Sequence, residues 1–155
     1  MQLLHFDVSI KVHTYLINGI NILPADKVVH LGIIMDNDLN YSCHISSIIS
    51  KARSRTGIIF RSFFLHNIFL LRQAYIMFVR PILEYASQVW DPSVLKYISD
   101  LEIVQRNFNY HTRSIKHFSY RKRLAVLNLE SLELSRLKAH LVSTQNFKQL
   151  NFYKL

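Results

Sequence analysis

A proline falls in the middle of an apolar helical pattern, and this constrains the fold more than any other feature of the sequence. Leu71, Ala74, Tyr75 and Phe78 share one helical face, and Ile82, Tyr85, Ala86 and Val89 continue it past Pro81 at helical spacing. Pro81 lacks the N–H that would bond to residue 77 and crowds that carbonyl, which costs about 3 kcal/mol in an ordinary helix interior. The pattern predicts one buried, kinked helix from about Phe69 to Trp90, its bend held by tertiary packing and its end marked by Asp91-Pro92-Ser93. Arg80 and Glu84 have the i, i+4 spacing of a structural ion pair, and Trp90 is expected as a buried anchor.

The flanking patterns differ in period. Before it the chain reads as β structure: Phe6, Val8, Ile10 and Val12 alternate, and Asn18-Gly19 between TYLI and INIL suits a type I′ hairpin turn. A turn at Pro24 to Lys27 leads to a third strand, Val28 to Met35, and Asp36-Asn37-Asp38 ends the sheet. The period then becomes helical. Ile45, Ile48, Ile49, Ala52, Thr56, Ile59, Phe60 and Phe63 make Ser42 to about Phe64 a long amphipathic helix with basic residues opposite. Past Pro92, Val94, Ile98, Leu101, Val104 and Phe108 line a further helix, followed by a loop over Ser114 to Tyr120, a short helix Arg121 to Leu127 and a last one from Ser131 to Phe147. The expected class is α+β, mainly α: a short N-terminal antiparallel sheet or hairpin in residues 1–38, then a bundle of about four to five helices in residues 39–155.

Charge points to an anionic partner. The 155 residues carry a formal net charge of +9, and no acidic residue occurs from Leu39 to Leu83 or from Ile103 to Leu129. The first window holds Lys51 and Arg55, one helical turn apart. The second holds Arg106, Arg113, Arg121, Lys122 and Arg123 among Phe108, Tyr110, Phe118 and Tyr120, the mixture that pairs phosphates with cations and stacks bases on rings. Within it, the aromatics are expected in the core and the arginines on the nucleic-acid backbone. Only 19% of residues are charged, so some apolar surface is expected to seek a partner.

Several chemistries find no support. Cys43 is the single cysteine, which excludes an internal disulfide and fits a reducing, intracellular setting. Its neighbour His44 would point about 100° away on a helix, so no metal site is expected. The three glycines form no phosphate loop and no nucleophile elbow. Asp36 and Asp38 could imitate a metal pair, but turn chemistry between strand and helix accounts for them. Neither a secretory signal nor a transmembrane span is expected.

The stretch VRPILEYASQVWDP at Val79 to Pro92 resembles the region just beyond the polymerase palm in reverse transcriptases of non-long-terminal-repeat retrotransposons, especially jockey-like elements. Further motifs agree in order: LGIIMD at Leu31 to Asp36, His44-Ile45, Lys51-Ala52, and Gly57 with Arg61. Glu102-x-x-Gln105-Arg106 with Phe108, Tyr120-x-x-Arg123-Leu124 and Ser131 to Glu133 follow, so that the resemblance covers about Leu31 to Arg136. Two places depart from it: Ser135 stands before Arg136, and Asn109-Tyr110-His111-Thr112 follows Phe108.

The resemblance implies a thumb-like fragment of an RNA-directed DNA polymerase that grips RNA, DNA or an RNA–DNA hybrid beside an upstream palm and fingers. The intact polymerase would use magnesium, but the Asp-Asp pair that holds it is absent here, since Asp7, Asp26, Asp36, Asp38, Asp91 and Asp100 are never adjacent. The isolated chain is therefore expected to be no enzyme, with no cofactor or catalytic residue of its own. The nucleic-acid candidates are Lys51, Arg55, Arg106, Arg113, Arg121, Lys122 and Arg123; Arg80, Pro81, Glu84, Tyr85 and Trp90 are structural. A helical protein-interaction module with incidental positive charge is the alternative.

Overall fold

A computed structural model describes residues 15–17, 19–22, 25–62 and 67–152. The expected strand at Phe6 to Val12, with Asn18, Pro24 and Phe63, lies outside them. The chain is mainly helical, with short antiparallel strands ahead of the helices, and falls into two compact units, Met1–Ser46 and Ser47–Leu155. No helix among the described residues is long and apolar enough to cross a membrane.

In the first unit, β1 (Tyr15–Ile17) and β2 (Ile20–Ile22) pair antiparallel, Tyr15 opposite Ile22 and Ile17 opposite Ile20. The two-residue loop has Gly19 at φ +77°, as the Asn-Gly signal requires. The single strand expected over Val28 to Met35 is instead a second hairpin, β3 (Lys27–His30) and β4 (Ile33–Asp36), with Val28 opposite Met35. Leu31 at φ +48° and Gly32 at φ +81° make its turn, both left-handed as a twist-matched two-residue loop demands. A leucine at such a position is costly and gives no turn signal in composition. Asp36 Oδ1 then accepts Asn40 N–H at 3.0 Å, and Asn40 Oδ1 accepts Ser42 N–H at 2.9 Å, so the acidic turn leads directly into helix α1 (Ser42–Ser62). In α1's first turn His44 Nδ1 accepts the Ile34 N–H at 3.3 Å, and Lys27 Nζ donates to Cys43 Sγ at 2.9 Å.

The second unit is a helical bundle. Ile48, Ile49, Ala52 and Ile59 of α1 are buried. The kinked helix expected from Phe69 to Trp90 is three helices: α2 (Ile68–Phe78), α3 (Arg80–Glu84) and α4 (Ser87–Trp90). Val79 at φ −109° ends the first, and Pro81 takes the first turn of the second, where a missing N–H breaks no bond. Ala86, left-handed at φ +51°, makes the second break. Each break rotates the pattern, so the buried line is Val79, Leu83, Ser87 and Trp90, while Tyr85 and Val89 are exposed. Trp90 Nε1 donates to Tyr85 O at 2.8 Å across the turn, and Arg80 Nε meets Glu84 Oε1 at 2.9 Å as expected.

α5 (Leu95–His111) packs against α6 (Tyr120–Leu127) and α7 (Leu132–Phe152), with a 3-10 turn at Arg113–Ile115 inside the expected loop. Leu101, Val104 and Phe108 are buried as the pattern predicts, but Val94 is exposed at the helix's N-cap. Asn67 and Ser119 accept N–H bonds at the starts of α2 and α6. Arg72 Nε donates to Leu127 O at 2.5 Å, satisfying a carbonyl that α6's own end leaves open. α7 is joined to the end of α4: Asp91 receives Arg136 Nε at 3.0 Å and stands 3.2 Å from His140 Nε2. Arg136 is 2% exposed.

Candidate nucleic-acid interface

Two sets of cations belong to the helical unit. On α1, Lys51 and Arg55 are exposed one turn apart, with Arg53 and Arg61 also exposed. None of these four has an ion-pair partner among the described residues. The acid-free sequence around them explains this, because no helical neighbour can neutralise them.

The second set sits where α5 meets α6. Arg106, exposed on α5, places its guanidinium 5.0 Å from the centroid of the Tyr120 ring, and Lys122 Nζ lies 4.3 Å from that of Phe118. Ring contact restrains these cations without neutralising them. Arg121 is exposed beside them. The structure therefore brings Arg106, Arg121 and Lys122 to one helix junction. Arg113 belongs to the 3-10 turn, and its side chain lies outside the described residues.

Arg123 is different. It is 6% exposed, its Nη1 donates to Phe118 O at 3.3 Å and to Lys116 O at 3.4 Å, and its guanidinium lies 5.6 Å from the Tyr110 ring. Successive helix residues point about 100° apart, so the third member of the Arg-Lys-Arg run turns inward and closes the loop before α6. Direct contact with a nucleic-acid backbone is a poor role for a guanidinium so enclosed.

Beneath the junction runs a polar network that the sequence did not disclose. Tyr75 O–H donates to Gln105 Oε1 at 2.8 Å, Gln105 Nε2 donates to Glu130 O at 2.9 Å and to Tyr120 Oη at 3.2 Å, and Tyr120 O–H donates to Glu102 Oε1. Glu102 Oε2 in turn accepts Leu132 N–H at 3.0 Å, at the start of α7. Glu102, Gln105 and Tyr120 all belong to the motifs behind the family resemblance, so these motif positions act inside the fold, joining α2, α5, α6 and α7. Polar residues are frequent all along α5, so its composition gave no sign of which of them would be buried.

Burial raises the Tyr75 phenol well above its ordinary value, and burial followed by the Glu102 hydrogen bond raises Tyr120. Below pH about 10 both tyrosines are neutral in the folded and unfolded chain, so neither makes stability depend on pH. Above it the unfolded chain releases a proton that folded Tyr75 retains, and stability falls by about 1.4 kcal/mol per pH unit for that one group. Urea melts above pH 10 should therefore show a shallower alkaline loss for Tyr75→Phe than for the parent; equal slopes would contradict the burial of this phenol.

Asp36 serves its turn and Asp91 serves Arg136, and no group of three His, Cys, Asp or Glu residues able to hold a metal occurs among the described residues.

No family model matches the chain, and no solved structure matches it. It is similar to an uncharacterized Caenorhabditis elegans protein, B0403.1, with 29% identity over 115 residues, covering 72% of this chain and 58% of that protein. The chain thus spans less than two thirds of the length of the curated relative it matches.

Proposed function

We propose that this chain is the post-palm, thumb-like segment of a non-long-terminal-repeat retrotransposon reverse transcriptase, without polymerase activity alone, which holds template–primer through the nucleic-acid backbone. The observation that carries this reading is the division of labour among its charges. Arg72, Arg80, Arg123 and Arg136 are used within the fold, while Lys51, Arg55, Arg106, Arg121 and Lys122 have no acidic partner among the described residues. Cations with no acidic partner, two of them (Arg106 and Lys122) restrained against aromatic rings, suit phosphates. Magnesium would be held by carboxylates of the upstream palm, and no catalytic step is assigned to residues of this chain.

Fluorescence anisotropy with an RNA–DNA hybrid tests the reading. Four or five phosphate contacts predict that log affinity falls with log salt at a slope of about −3 to −5. Replacing Arg106, Arg121 and Lys122 with glutamine should reduce that slope by about 2 to 3 without altering sequence preference. Salt-independent affinity, or no binding to the hybrid, would sink the reading.

A second reading, a helical module that docks another protein, is favoured by one surface: Phe69, Leu70, Met77 and Phe78 of α2 are 78%, 46%, 57% and 53% exposed. It predicts concentration-dependent association that high salt does not weaken, measurable by light scattering.

A further inference from the structure

A groove of about 230 Å³ opens between α1 and α5, with Gly57, Phe60 and Val104 as its apolar part and Arg53, Asn107 and His111 as polar wall. We infer that it receives a single unpaired nucleobase of a strand whose phosphate is held by Arg53. This rests on the nucleic-acid reading and adds to it a site for single-stranded nucleic acid.

The size selects the occupant. The groove is smaller than the roughly 300–1,000 Å³ of pockets for drug-sized ligands, so it suits one ring system and not a base pair. A base entering it would have to be splayed from its stack, as single-strand readers require. The walls suit a planar ring. Phe60 is half-buried, stacked on Phe108 at 5.1 Å between centroids, and its remaining surface lines the groove beside the His111 ring at 5.6 Å. His111 Nδ1–H donates to Asn107 O at 2.8 Å, which fixes the imidazole and leaves Nε2 as an acceptor in the neutral ring. The Asn107 side chain is exposed and has no partner among the described residues, so its amide can both donate to and accept from a base edge.

Charge and backbone agree with this. Every wall residue comes from the two acid-free windows, so nothing adjacent in sequence offsets Arg53. Gly57 lies mid-helix, where glycine is a poor helix former, yet a Cβ there would meet only the Arg61 guanidinium, at 3.8 and 3.9 Å. The fold therefore does not need the missing side chain. Its absence keeps the floor of the groove open to a flat ligand.

The test compares a blunt RNA–DNA hybrid with the same hybrid bearing a short single-stranded extension that carries a fluorescent adenine analogue. The extension should tighten binding about tenfold, the size of one base stacked on one aromatic ring, and the analogue should be quenched on binding. Gly57→Leu should fill the groove and abolish both effects while leaving blunt-hybrid affinity unchanged. Gly57→Ala serves as the folding control, with an unchanged or higher Tm. Phe60→Leu, which keeps the apolar volume but removes the ring, should reduce quenching. Equal affinity for the two probes, or an extension effect that survives Gly57→Leu, overturns the groove assignment while salt-dependent hybrid binding leaves the wider reading standing. No binding to either probe overturns both.

Discussion

Trp90→Ala should lower the unfolding free energy by about 3–5 kcal/mol, the range for deleting a buried large aromatic. Trp90 is 1% exposed, the largest of the fully buried side chains. It ends a helix of only four residues, which cannot stand on its own hydrogen bonds. Its indole also bridges the second chain break, donating to Tyr85 O. The next residue, Asp91, carries the ion pair to buried Arg136, so losing the indole also loosens the attachment of α7. For a domain stable by about 5–15 kcal/mol, this removes about a fifth of the total or more. Trp90→Phe retains most apolar volume but deletes the N–H and two ring carbons, so it should cost less than the alanine variant, about 1–3 kcal/mol. Urea melts with unchanged m-values would measure both; a cost below 1 kcal/mol for the alanine variant would show that the α4 end does not hold the bundle.

The sequence disclosed periods better than breaks. The Asn-Gly hairpin was legible because that dipeptide has a distinct backbone preference, and α1 was legible because its apolar face repeats over many turns. Leu31-Gly32 was not, because leucine in a left-handed turn looks like part of an apolar strand. Pro81 announced a disturbance but not its form: a kink and a fresh start share the same pattern until φ at Val79 and Ala86 is known. For the candidate interface, the acid-free windows singled out Lys51, Arg55, Arg106, Arg121 and Lys122, but they also hold Arg72, which bonds Leu127 O, and Arg80, which pairs with Glu84 just past the first window. They could not distinguish Arg123 from Arg121 and Lys122, because composition carries no direction and the inward turn of Arg123 depends on the loop carbonyls it closes. The groove was missed for a related reason, since Arg53, Gly57, Asn107 and His111 come together only when α1 meets α5.

Gln105→Leu is expected to cost about 3 kcal/mol despite adding apolar volume to a buried site. Gln105 is fully buried and makes three hydrogen bonds, to the Tyr75 and Tyr120 hydroxyls and to Glu130 O. Leucine of similar size fills the space but accepts nothing, so the Tyr75 hydroxyl is left buried without a partner, at about 1–3 kcal/mol. Glu130 O loses its donor as well, and the link from α5 to the segment leading into α7 goes with it. Tyr120 still has Glu102, so α6 should stay in place. The consequence is a strongly non-additive pair. Tyr75→Phe alone leaves Gln105 Oε1 unpaired and should destabilise by about 1–2 kcal/mol, but in the Gln105→Leu background it removes the orphaned hydroxyl and should be neutral or stabilising. A double-mutant cycle by urea denaturation should therefore give a coupling of about 1–2 kcal/mol or more between residues thirty apart in sequence. Additive costs would mean that water already satisfies both groups, and the motif positions Glu102, Gln105 and Tyr120 would then need a reason other than joining the helices that carry the exposed cations.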